Sequence, residues 1–271
     1  MMMEHGFANK SDPCAWKVGT SFSLANPIDL EAVKEAGLAC IELTWQPLRL
    51  ADPDVKRACD EVVSRARELG LEVWSLHIPF GTEWDPSSLD AAVRERVVGQ
   101  VRTVLACAEE WNIRTAVFHP SWEPVADEER SRRLETARET LGLLSRDAAE
   151  RGVRLAAECL PRTCLGHSAD EMLDLLAANP ELGVCCDVNH LFRESPQQFI
   201  ERLGDRIVTT HISDNDGTDE KHWMPGDGII AWDEVIEALA KTGYRGPIMH
   251  EVRKPDPFRI ADNWRKVLKS S

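Results

Sequence analysis

Short apolar runs alternate with longer amphipathic stretches along the whole chain. The runs are Lys17–Leu24, Ala39–Trp45, Glu72–Pro79, Thr115–Ser121, Arg154–Pro161, Gly183–His190, Ile207–Ser213 and Pro247–Val252. Each has the length of a strand buried on both faces, as in a parallel sheet. Between them the apolar positions recur at helical spacing. Asp29–Ala36 is closed by Gly37, Pro53–Leu69 by Gly70, Asp127–Arg151 by Gly152, Ser195–Leu203 by Gly204 and Trp232–Thr242 by Gly243. A glycine just past the last periodic residue is a helix stop, because it takes the left-handed backbone at little cost. Leu89–Trp111 and Asp256–Leu268 complete the helices, and Ser168 with Glu171 three residues later predicts a helix start in capping-box form.

Eight strands, each followed by a helix, predict a single (β/α)8 TIM barrel, and 271 residues suits that size. An open doubly wound sheet would carry a glycine-rich phosphate turn after its first strand, where this chain reads Ser21-Phe22-Ser23-Leu24. Without a long linker or low-complexity segment, residues 1–271 are expected to form one barrel domain, with residues 1–15 an N-terminal extension.

Composition narrows the partners. With 32 Lys+Arg against 46 Asp+Glu the formal charge is −14, which disfavours nucleic acid and anionic membranes. No apolar stretch approaches a membrane span, and the start lacks the basic-then-apolar form of a secretory signal, so a cytoplasmic protein acting on small molecules is expected. The eight cysteines form no Cys-x-x-Cys pair and mostly lie in apolar runs, as reduced, buried thiols would. Cys164, on an expected loop, is the candidate reactive thiol.

In a barrel, chemistry gathers at the carboxyl ends of the strands. Polar residues interrupt six of the runs there: His77, His119, Glu158, Asp187, His211 and Glu251. Strand alternation points Cys185 with Asp187, Thr209 with His211 and Met249 with Glu251 into the barrel, and Val184, Cys186, Val208 and His250 outward. Crowded carboxylates repel unless a cation lies among them. Ligation by Glu158, Asp187, His211 and Glu251 suits one divalent ion, manganese first, with magnesium, cobalt or zinc also compatible.

These residues resemble the sugar phosphate isomerase/epimerase group of the xylose isomerase-like barrels, a superfamily shared with the abasic-site endonucleases. Ala157-Glu158-Cys159-Leu160-Pro161-Arg162-Thr163 is similar to the family's Glu-Asn-Leu-Pro-Arg run, with Cys159 in the asparagine's place. Gly183–His190, His211–Gly217 and His222-Trp223-Met224-Pro225-Gly226-Asp227-Gly228 carry the rest. The resemblance implies a metal-dependent isomerase or epimerase of a small sugar, sugar phosphate or polyol ketone, working through a metal-stabilised enediolate. It implies Glu158 and Glu251 as the acid–base pair, and His77, His119, His190 and Arg162 as substrate-binding residues. Ketose epimerases are similar in placing an arginine shortly after the seventh-strand histidine, where this chain has Gly217. Arg162, Lys221 and Arg253 are the candidate replacements, and Glu42 at the end of the second strand is either a site residue or a buried polar group. The resemblance is also compatible with a homo-oligomer.

The same superfamily holds abasic-site nucleases with three zinc ions, whose added ligands fall at His77, His119, His190, Glu220 (their aspartate) and His222. A multinuclear zinc phosphodiesterase is therefore the alternative, opposed by the acidic charge and the absence of Glu-Asn-Thr on the fifth strand. An inosose-dehydratase-like lyase, sharing the proton abstraction, is the further alternative.

Overall fold

Eight parallel strands pair in chain order and close on themselves, the first against the eighth. They are β1 (Val18–Ser23), β2 (Cys40–Thr44), β3 (Glu72–His77), β4 (Thr115–Phe118), β5 (Arg154–Glu158), β6 (Gly183–Asp187), β7 (Ile207–Ile212) and β8 (Ile248–His250). The helices between them are α1 (Leu30–Glu35), α2 (Pro53–Glu68), α3 (Ala91–Glu110), α4 (Asp127–Glu150), α5 (Ala169–Leu176), α6 (Pro196–Leu203), α7 (Trp232–Thr242) and α8 (Pro257–Ser270). The computed structural model describes residues 10–44, 52–177 and 179–270. Trp45 of the second expected strand and residues 1–9 of the expected extension lie outside the described residues.

The helices begin and end where local chemistry directs. Asp29, Asp52 and Asp90 each accept hydrogen bonds from first-turn amides of the helix that follows. Gly243 closes α7 in the left-handed conformation at φ 77°, a backbone that costs any other L-residue about 1–2 kcal/mol. At α5, Ser168 caps the Glu171 amide, but the Glu171 carboxylate turns to Arg130 and the Gly166 amide, so the expected box is half made. Ser195 and Gln198 form the reciprocal box, at the start of α6.

The main core lies between strands and helices, where Ala157, Val184, Cys186 and Ile212 pack outward. Inside the barrel a small apolar cluster, Val117, Ala156 and Cys185, forms the floor beneath the polar strand ends. Val208 corrects the alternation reading, because it packs against this inner cluster. The cause is a break in register: Val184 pairs with Ile207 but Cys185 with Thr209, so β7 carries one extra residue. That extra residue brings Asp187 opposite His211. A second break, with Ile41 opposite Val73 and Glu42 opposite Ser75, sets the end of β2 against β3. Among the described residues no helix is long and apolar enough to cross a membrane.

Candidate active site

The strand ends bring the expected residues together. His77, Glu158, Asp187 and His211 end or nearly end their strands, and His119 and Glu251 follow β4 and β8 by one residue. Glu158, Asp187 and His211 are at most 1% exposed. His211 Nδ1 lies 3.1 Å from Glu158 Oε1, 3.2 Å from Glu251 Oε2 and 3.9 Å from Asp187 Oδ2. Glu158, Asp187, His211 and Glu251 each offer a ligand atom within 4.8 Å of the others. Asp187 Oδ1 accepts the Asn189 amide at 2.7 Å, while Oδ2 is buried without a hydrogen-bond partner. A buried carboxylate oxygen left unpaired beside two other carboxylates fits a divalent cation, and three oxygens with one imidazole nitrogen form a donor set that holds one.

Two further groups flank this nest. Glu158 Oε2, the oxygen not facing His211, is 3.0 Å from His77 Nε2 and 3.1 Å from His119 Nε2. On the other side His190 Nε2 is 2.8 Å from Glu220 Oε2, and His222 completes that trio. His190 and His222 donate through Nδ1 to the carbonyls of Cys159 and Glu251, each at 3.0 Å, which turns their Nε2 atoms toward the cavity.

Each charge here is set by its neighbours as well as by burial. Burial opposes ionisation of Glu158, yet the His211 and His119 imidazoles hold its carboxyl well below the ordinary range. Glu251 is likewise lowered against its burial, chiefly by His211. Burial pushes Asp187 up to about 7. Burial also works against a charged His77, but Glu158 raises it to about 9; His190 and His211 rise as well, against their burial, beside their carboxylates. Burial lowers His119. An imidazole nitrogen and a carboxylate oxygen about 3 Å apart need a proton or a cation between them, and the site contains several such junctions.

A cavity of about 120 Å³ opens above these residues. Phe80, stacked on His119 at 4.5 Å and facing Trp122 at 5.6 Å, walls one side. Arg162 lies at the mouth with φ 52°, its guanidinium donating to Glu123 at 2.7 Å and Asp219 at 2.8 Å, and 3.1 Å from Glu220. Lys221 pairs with Asp216 and the Arg253 side chain is exposed, so Arg162 is the candidate cation that reaches the cavity. Gly217 is left-handed at φ 78°, and a Cβ there would meet Ile229 at 2.6 Å, so the place of the epimerases' arginine holds no side chain. Cys164 lies on the expected loop, but it is 4% exposed and burial raises its thiol to about 11, which corrects the reading of a reactive thiol there.

The profile of the xylose isomerase-like TIM barrels matches residues 30–270. The chain belongs to that family. A D-tagatose 3-epimerase-like protein of known structure superposes with TM-score 0.80 at 26% identity, covering 94% of this chain and 96% of its own. The uncharacterized protein MJ1311 of Methanocaldococcus jannaschii is 30% identical over 203 residues, 72% of this chain and 68% of its own. L-ribulose-5-phosphate 3-epimerase UlaE of Salmonella paratyphi A is 24% identical over 198 residues, 70% of this chain and 68% of its own. Against this xylose isomerase-like frame, sequence reasoning missed Phe80, Trp122 and Glu123, which lie on loops without periodic pattern. Glu42 is corrected from strand end to mid-strand: it is the third of the five residues of β2, fully buried, with Leu43 and Thr44 beyond it.

Proposed function

We propose that the protein is a divalent-metal-dependent epimerase or isomerase of a small sugar, sugar phosphate or polyol ketone, working in the cytoplasm as one barrel domain. The observation that carries this reading is the four-residue nest, buried except at the half-buried Glu251, with its Asp187 oxygen that lacks a hydrogen-bond partner. The names of the similar epimerases support the same class. Glu158, Asp187, His211 and Glu251 would hold the ion, manganese first and magnesium, cobalt or zinc as alternatives. When bound, it supplies polarisation of the substrate's carbonyl and neighbouring hydroxyl oxygens. Glu158 and Glu251 exchange the proton, one removing it from the carbon beside the carbonyl and the other returning it. The Glu158 oxygen free for this work is Oε2, which His77 and His119 hold in place. Arg162, His190 and the histidine pair bind substrate oxygens, and Phe80 with Trp122 limits water on their side.

The test is solvent exchange. E158Q and E251Q should each abolish incorporation of deuterium at the substrate carbon, and near-normal exchange in either variant would overturn the assigned pair. H211A should lose its metal on dialysis, read by elemental analysis.

A second reading has its own support. His77–His119–Glu158 and His190–Glu220–His222 each bring three ligand atoms within 4.8 Å of one another, on either side of the central nest. That arrangement suits a multinuclear zinc phosphodiesterase. Three zinc ions per purified chain, with cleavage of abasic DNA, would favour it over the epimerase.

A further inference from the structure

Glu42 is fully buried and outside every group of side chains that can close on a metal ion among the described residues. Its carboxylate has two partners. Oε2 accepts from Ser75 Oγ at 2.6 Å and Oε1 faces His211 Nε2 at 2.9 Å. The opposite nitrogen of the same ring, Nδ1, is the atom that looks into the nest of Glu158, Asp187 and Glu251.

We infer that Glu42 is the positioning residue of His211: it accepts a hydrogen bond from Nε2–H, fixes the ring, and leaves Nδ1 as the ligand atom. An ionised carboxylate only accepts hydrogen bonds, so the nitrogen facing it carries hydrogen. Ser75 already donates to Oε2, which turns Oε1 toward His211. The ring is held on its face as well, stacked on His77 at 5.6 Å and 14°. The register break between β2 and β3 makes the arrangement, because it sets Ser75 opposite Glu42. A carboxylate behind a ligating imidazole raises its basicity and fixes its orientation, and losing such a partner costs 10–100-fold in metal affinity. Glu42 therefore acts through His211, from the side of the ring opposite the nest. The ligand role of His211 rests on the metal reading above; the Glu42–His211 pairing does not.

The experiment separates the two. Histidine-15N-labelled protein is examined by proton–nitrogen correlation, without metal and with zinc (a diamagnetic probe), in wild type, E42Q and E42D. The His211 signal is assigned by its loss in H211Q. Expected in wild type is a low-field, slowly exchanging proton on Nε2, with Nδ1 bearing zinc in the loaded protein; E42Q moves that proton upfield. Zinc affinity by chelator competition should fall 10–100-fold in E42Q and recover in part in E42D. A proton on Nδ1 with zinc on Nε2, or E42Q affinity within threefold of wild type, would overturn the inference. Should wild type hold no zinc, the metal reading fails, and the Nε2 proton of the metal-free protein decides: its presence supports the pairing and its absence overturns it.

Discussion

At the scale of single residues, the site is a set of nitrogen–oxygen junctions in which protons and metal compete. His77 is raised to about 9 against its burial because Glu158 faces it, so it is charged at neutral pH without metal. His211 is raised too, with carboxylates at both ring nitrogens. An ion entering the nest displaces protons from these rings. Metal binding at pH 7 should therefore release at least one proton and weaken as pH falls. Calorimetry in two buffers of different ionisation enthalpy reads this directly; equal heats would contradict it. His250 behaves oppositely. It points outward against Trp264, with Nδ1 donating to the Gly19 carbonyl and Nε2 unpartnered, and burial lowers it to about 4. Between pH 6.5 and 4 the unfolded chain binds a proton here that the folded chain refuses, so stability is lost as pH falls through that window. The loss is on the order of 2–3 kcal/mol from pH 7 to 4.5. Urea unfolding of H250N at both pH values should show a correspondingly smaller drop than wild type, and identical drops would remove His250 from the acid response.

At the scale of elements, the loop between β7 and α7 is the one whose order the site most depends on, because it carries Glu220 and His222. Asp214, fully buried, organises it by accepting four hydrogen bonds, from the amides of Asn215, Gly226 and Ile230 and from the Trp232 indole, at 2.8–3.1 Å. An asparagine amide would set N–H against N–H on one side of that cluster. D214N should cost about 2–4 kcal/mol, as two buried bonds are lost and their donors left unpaired. Hydrogen exchange should quicken across residues 214–230 while strands β2 to β5 keep their protection; uniform protection would refute the loop's dependence on Asp214. Elements of this kind also mark how far the sequence could be read. Apolar runs and stopping glycines are local, so all eight strands and all eight helices were legible. The strand-end residues were legible for the same reason, since a polar side chain closing an apolar run needs no knowledge of its neighbours. Register was not. Whether Asp187 meets His211 depends on one extra residue in β7, and whether Glu42 meets Ser75 on one in β3. Such a break is a property of two strands at once, invisible in either run alone, which is why alternation along β7 by itself turns Val208 to the wrong face. The ties of Arg162 to Glu123, Asp219 and Glu220 join three loops, beyond any local pattern.

At the scale of the whole molecule, the net charge of −14 acts on the choice between the two readings of the site. The ligand groups alone cannot separate them, because a one-ion nest with histidines on either side and a three-ion cluster use the same side chains. A DNA backbone, however, must be held along several phosphates by cations, each of which releases a counterion on binding. The cation at this mouth, Arg162, is tied to the carboxylates of Glu123 and Asp219, and Lys221 to that of Asp216. Releasing these cations for phosphates would uncover the carboxylates that hold them. Filling all three groups with divalent ions would still leave the chain acidic, and at 0.15 M salt, where the Debye length is about 8 Å, only cations close to the phosphates could hold the duplex, while those at this mouth are already tied to carboxylates. Abasic duplex DNA should therefore show no binding at 0.15 M salt whatever the metal content, measured by fluorescence anisotropy with the zinc-loaded protein. A neutral ketose, which needs neither counter-charge nor an extended surface, meets no such barrier. Tight, salt-sensitive binding of the duplex would instead mean that local cations outweigh the global charge, and would move the balance to the phosphodiesterase.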